Sequence, residues 1–128
     1  MPQTAMRLVA DARQNITEIS AEQMQNKLDE SGYALIDVRE PHEFVSGHLP
    51  GASCIPRGVL EFQVDAHPAV NGEQDISLLD RDRELIIYCL TGGRAALAAE
   101  SLQKMGYSNV KSIAGGWKAW TEAKLPTA

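Results

Sequence analysis

Cys89-Leu90-Thr91-Gly92-Gly93-Arg94 is the stretch of this chain whose residue types and spacing suit chemistry. It lies between an apolar run and a helix-forming segment. Two consecutive glycines let a loop curl through positive φ angles and bring successive N–H groups toward one point. Such a nest of amides, backed by a helix N-terminus, attracts anions. Arg94 adds a permanent positive charge beside it. Helix N-termini and nearby cations favour thiolate over thiol, so Cys89 is read as a nucleophile facing an anion site. The plainer reading is an inert cysteine at a strand end followed by an ordinary glycine turn. The ordered succession of strand, cysteine, glycine turn, arginine and helix outweighs it.

Other polar residues receive more modest roles. Asp37 and Arg39 follow an apolar strand and are expected to make polar contacts that support the site rather than to react. His48, within Gly47-His48-Leu49-Pro50-Gly51-Ala52, is read as anchoring a turn, because attack by a preformed thiolate needs no general base. Cys54 follows small residues on a short strand and is read as buried packing. His42, His48, His67 and Cys54 show no metal-ligand spacing, so neither metal nor cofactor is expected. Trp117 and Trp120, three apart on a short helix, are expected to pack it onto a sheet.

The elements that must hold these residues are legible as alternating patterns. Segments 33–38 (YALIDV), 53–55, 85–89 (LIIYC) and 110–113 read as strands, with a further short strand at 16–19. A helix begins at Ser20, where Ser20 and Gln23 have the spacing of a capping box and Ile19 with Met24 that of a hydrophobic staple. Met24 and Leu28 share one face of it, and Gly32 terminates it. A second helix spans 94–105, with Ala95, Ala98, Ala99, Leu102 and Met105 on one face and Gly106 as its stop. Shorter helices are expected at 41–46, opened by Pro41, and at 116–123. Strands separated by helices imply an α/β fold, a central parallel sheet with helices on both faces. LIIYC is apolar throughout, as a strand buried on both faces must be. Ligands bind beyond the carboxyl ends of strands in such sheets, where this pattern puts Cys89. Residues 65–80 form one long irregular segment, of the kind that serves as a lid or partner-binding loop and reads at least as well as a plain surface loop.

Length and composition set the remaining bounds. The chain has 128 residues, one ordinary domain, and can bury roughly two thirds of its unfolded surface. We therefore expect a single domain over 1–128, with a core at about 16–122 and an extension at 1–15. An apolar fraction of 44% and a charged fraction of 23% fit a soluble globular protein, and no run is long enough to span a bilayer. The net charge of −5 and the lack of a basic cluster argue against nucleic acid as a partner. Residues 1–15 hold no secretory-type apolar run, and two cysteines are too few for a disulfide scaffold. The expectation from both is a cytoplasmic protein.

Four motifs together resemble the rhodanese pattern. They are Asp37-Val38-Arg39-Glu40 through Glu43-Phe44, then Gly47-His48-Leu49-Pro50-Gly51-Ala52, then the 89–94 loop, then Ala114-Gly115-Gly116-Trp117. Order and spacing both match, over roughly 16–120. The resemblance implies a three-layer sandwich around a parallel sheet, with Cys89 carrying sulfur as a persulfide. It also implies that the amides of Leu90, Thr91, Gly92, Gly93 and Arg94 cradle the persulfide or substrate anion, with Arg94 closing the loop. Thr91 stands where many relatives have serine and keeps a hydroxyl donor.

Three functions follow from these readings. The leading one is transfer of a sulfane sulfur from a small-molecule donor such as thiosulfate to cyanide, a thiol or a protein acceptor. A binding module or persulfide carrier without turnover is the alternative. A cysteine phosphatase or arsenate reductase is the weaker enzyme reading, since Cys89 and Arg94 have four residues between them and cysteine phosphatases have five.

Overall fold

The computed structural model describes residues 2–66 and 76–128. Five parallel strands form one sheet: β1 (Thr17–Ile19), β2 (Tyr33–Asp37), β3 (Ser53–Cys54), β4 (Glu84–Tyr88) and β5 (Val110–Ile113), in the order β1-β5-β4-β2-β3. All four pairings are parallel, with Ile36 opposite Ile87 and Ile87 opposite Ser112 across the centre. The α/β fold with a central parallel sheet is therefore as expected, with strand limits within a residue or two.

The helices among the described residues are α1 (Ala5–Arg13), α2 (Ala21–Lys27), α3 (Pro41–Val45), α4 (Leu60–Val64), α5 (Gly93–Lys104) and α6 (Gly116–Glu122), with 3-10 turns at Arg57–Val59 and Ile76–Leu79. The strands alternate between two cores. Leu85 and Ile87 meet Ala95, Ala98, Ala99 and Leu102 of α5 and Leu60 and Val64 of α4. Ile86 and Tyr88 meet Met24 of α2 and Trp120 of α6 on the other face. Side chains two apart on a strand share a face, so a strand apolar at every position needs a helix layer on each side.

Local signals explain the element ends. Ser20 Oγ accepts from Gln23 N at 3.1 Å and Gln23 Oε1 from Ser20 N at 2.7 Å, the capping box expected at α2. Gly106 stops α5 with φ +97°, a left-handed turn that suits a residue without Cβ.

Two helices were not anticipated. Segment 1–15, read as an extension, folds from residue 5 into α1. Thr4 Oγ1 caps it by accepting from Arg7 N at 3.0 Å, Ala12 is fully buried, and Asn15 Nδ2 reaches Glu100 of α5 at 3.3 Å. α4 is a single short turn-and-a-half whose buried residues, Leu60 and Val64, are too few to show a period. Of the 65–80 segment, residues 67–75, with His67, lie outside the described residues. No helix among the described residues is long and apolar enough to cross a membrane.

The topology places the site. From β2 the chain passes to β3 at one edge, whereas from β4 it passes through α5 to β5 on the opposite side. Neighbouring strands whose connections diverge leave a crevice at their carboxyl ends. Residues 37–39 and 89–94 emerge at that crevice.

Candidate active site

Cys89 follows β4 directly, buried to 1% exposure, and its Sγ accepts two backbone hydrogen bonds. Gly92 N–H lies 3.1 Å from the sulfur and Ala95 N–H 3.4 Å. The first bond requires the chain to double back, and Gly92 does so at φ +113°. The second comes from the first turn of α5, whose N–H groups lack intrahelical acceptors. Gly92, the residue before the helix, has no side chain to cap it, and the Cys89 sulfur serves instead.

Opposite the sulfur, the loop carbonyls turn toward α6. Trp117 N–H donates to Cys89 O at 2.8 Å and Lys118 N–H to Leu90 O at 2.9 Å. This is why residue 116 is glycine: a Cβ there would sit 2.3 Å from Cys89 O, while one on Gly115 would sit 2.6 Å from Ala119 Cβ. With its carbonyls held there, the loop leaves the Gly92 N–H for the sulfur. Leu90 and Thr91 are exposed at the rim.

Arg94 lies across the opening with its guanidinium on Glu43 of α3, Nη1 to Oε1 at 2.8 Å and Nη2 to Oε2 at 3.1 Å. A bidentate fork of this kind is among the stronger ion pairs. The Arg94 hydrogen bond holds the Glu43 carboxyl down at about 2, and Glu43 in turn raises Arg94. Glu43 also accepts from Glu40 N at 3.0 Å, which joins the loop to the start of α3. The cation expected free beside the loop thus has a carboxylate partner.

Asp37 and Arg39 form a separate buried pair at the end of β2, 0% and 2% exposed. Arg39 Nε lies 3.0 Å from both Asp37 oxygens, and Nη2 reaches Asp37 Oδ2 and Gly47 O at 2.7 Å each. Its guanidinium lies over the rings of Trp117, at 5.0 Å, and Tyr88, at 5.8 Å. Burial opposes the Arg39 charge, and Asp37 more than restores it. Neither residue bonds the Cys89 sulfur; together they pin the 47–52 turn and α6 beneath it. His48 completes that turn, with Nδ1 3.0 Å from Phe44 O and its ring stacked on Phe44 at 3.8 Å.

Cys54 is half-buried on β3, with Sγ 3.7 Å from Arg39 O, and burial pushes its thiol up. No group of three or more His, Cys, Asp or Glu among the described residues could hold a metal ion.

The structure thus brings Cys89 and Gly92 together with Ala95, sets Leu90 and Thr91 on the rim, and commits Arg94 to Glu43. Ala95 was missed because it acts through its backbone, which residue type does not reveal. Glu43 was visible as a motif carboxylate, but its partner was not.

A buried cysteine in an amide cradle at the switch point of a parallel sheet defines the class of protein. The comparisons with known proteins supply the family. A model of the rhodanese-like domain matches residues 20–123. The chain is 30% identical over 112 residues to a sulfurtransferase of Allochromatium vinosum, covering 87% of this chain and 94% of that one. It is 34% identical over 93 residues to the probable adenylyltransferase/sulfurtransferase MoeZ of Mycobacterium tuberculosis, covering 73% of this chain and spanning only 21% of that protein. Among solved structures, a protein of unknown function from Rhodopseudomonas palustris, described as a possible tyrosine phosphatase, superposes with a TM-score of 0.86. It is 30% identical and covers 100% of this chain and 99% of its own. The chain belongs to the family of rhodanese-like domains.

Proposed function

We propose that this protein moves a sulfane sulfur from a donor such as thiosulfate to a thiophilic acceptor, cyanide or a thiol, through a persulfide on Cys89. The carrying observation is the pair of amides on the Cys89 sulfur, Gly92 N–H and Ala95 N–H. Family membership and the sulfurtransferases among the relatives support the same reading.

The Cys89 thiolate attacks the outer sulfur of thiosulfate. A bond forms from Sγ to that sulfur as the donor's S–S bond breaks, and sulfite leaves with the electron pair. An acceptor then attacks the terminal sulfur, and the persulfide pair returns to Sγ. Cyanide leaves as thiocyanate, a thiolate as its own persulfide. Each step is a displacement on sulfur, so no outside oxidant or reductant is needed. The remaining loop amides, at Leu90, Thr91, Gly93 and Arg94, solvate the negative terminal sulfur without reorganising during transfer. Asp37 and Arg39 act by holding the turn and helix on which the loop rests. A persulfide carrier that hands its sulfur to a protein partner uses the same first step.

The description attached to the Rhodopseudomonas neighbour raises phosphoester hydrolysis as a second reading. Two features weigh against it here. Only four residues separate Cys89 from Arg94, and the Arg94 guanidinium is held by Glu43 instead of being turned to a tetrahedral anion.

The test is intact-protein mass spectrometry after incubation with thiosulfate. The expected result is a gain of one sulfur atom, absent in Cys89→Ser and removed by cyanide with release of thiocyanate. An unchanged mass with thiosulfate and with an organic persulfide would sink the proposal.

A further inference from the structure

The N-terminal helix brings a second arginine to the cradle. The last turn of α1 places Arg13 Nη2 3.0 Å from where a Gly92 Cβ would stand, over the glycine whose N–H holds the Cys89 sulfur. Val9, one turn earlier, lies 3.6 Å from the corresponding point on Gly93. α1 is fixed in this position by Ala12, which is fully buried, and by Asn15 Nδ2 on Glu100.

The two arginines differ in how much of their charge is free. Arg94 is forked onto Glu43, and the pair is neutral to an incoming ion. Arg13 makes no hydrogen bond among the described residues. Its one ion-pair partner among the described residues is Glu18 at 3.8 Å, and its side chain is 44% exposed. On a chain of net charge −5, an anionic donor is repelled at long range unless some cation at the opening reverses the field.

We propose that Arg13 is a specificity-determining residue that draws anionic sulfur donors to the Cys89 loop, while Arg94 serves as a structural clamp. The inference rests on the sulfur-transfer reading only for the nature of the donor. The placement of the charge stands apart from it. Arg13 acts on approach and binding, not on bond making, so its loss changes capture of anions and leaves the displacement on sulfur alone.

The experiment compares two reagents of similar size at Cys89, anionic iodoacetate and neutral iodoacetamide, in the native chain, Arg13→Gln and Arg13→Lys. Arg7→Gln, on an exposed residue of the same helix, is the control. A partly exposed charge of this kind is expected to change the iodoacetate-to-iodoacetamide rate ratio by about fivefold. The ratio should fall by that factor in Arg13→Gln, hold in Arg13→Lys and Arg7→Gln, and lose its difference from native at high salt. The thiosulfate KM should rise by a similar factor with kcat unchanged. A ratio unaltered by Arg13→Gln, with its thermal unfolding native-like, overturns the inference whatever the enzyme does. A ratio that falls in a chain that never gains sulfur supports the role of Arg13 and removes the sulfur-transfer reading.

Discussion

Ala95 N–H points at the Cys89 sulfur from 3.4 Å, so the proposed nucleophile also caps the helix that follows it. At most helix starts a serine, threonine or aspartate oxygen fills that place. Cys89→Ser should therefore keep the fold, because its oxygen can still accept, yet gain no sulfur. Cys89→Ala should lose activity and also cost about 1 kcal/mol, the usual worth of a cap. Urea unfolding separates the two variants; equal midpoints would show that the sulfur bears no structural load.

The other cysteine should be dispensable. Cys54 Sγ lies 3.7 Å from Arg39 O, and burial pushes its thiol up, away from the reactive range. We expect Cys54→Ala to form the persulfide at the native rate and to lose about 1 kcal/mol of stability or less. Loss of sulfur transfer in a folded Cys54→Ala would mean the thiols had been assigned wrongly.

The Glu43–Arg94 fork should show itself in acid. Glu43 is depressed from 4.5 to about 2, so its contribution is fully present above the unfolded value and is lost as pH falls through about 2. Native protein should exceed Glu43→Gln in stability at neutral pH, and the gap should narrow below pH 4.5 and vanish near 2. Denaturant titrations across that range measure it. A gap independent of pH would assign the effect to packing.

Gly116 tests the support beneath the loop. An alanine there would place Cβ 2.3 Å from Cys89 O at a backbone φ of +54°, so the carbonyl and the loop must shift. Gly116→Ala should cost about 1–3 kcal/mol and most of the sulfur-transfer rate. Gly32→Ala, also at positive φ (+92°) but with nothing within 4 Å of its Cβ, is the matched control and should keep the sulfur-transfer rate. Similar losses in both would remove the contact as the cause.

Loop length should set the anion accepted. With four residues between Cys89 and Arg94, native protein should make thiocyanate and show no Cys89-dependent hydrolysis of p-nitrophenyl phosphate. One glycine inserted after Gly92 widens the cradle, moves the Ala95 N–H off the sulfur and should depress sulfur transfer. Hydrolysis of the ester through Cys89 without any sulfur gain would put the phosphatase reading in its place.

Much of this was written locally. Ser20 and Gln23 announce the start of α2, LIIYC announces a strand buried on both faces, and Cys89-Leu90-Thr91-Gly92-Gly93-Arg94 announces a glycine turn into α5, because each rests on residues adjacent in the chain. α4 was invisible, as one short turn carries no period. α1 went unread although Thr4 stands at its cap, because a weakly apolar helix is made stable by the surface it covers, here α5.

By itself the sequence determined the alternation of strands and helices, the parallel sheet, and a cysteine at the end of its central strand. Only the tertiary structure decided which charges lie beside the loop. Glu43 and Arg94 are 51 residues apart along the chain and bonded in space, while Arg13 reaches Gly92 from a helix docked against α5. Backbone turns and caps depend on dihedral angles and near neighbours, which residue order records. The effective charge at a site depends on what else lies within a few ångströms, and only the packing of distant segments sets that.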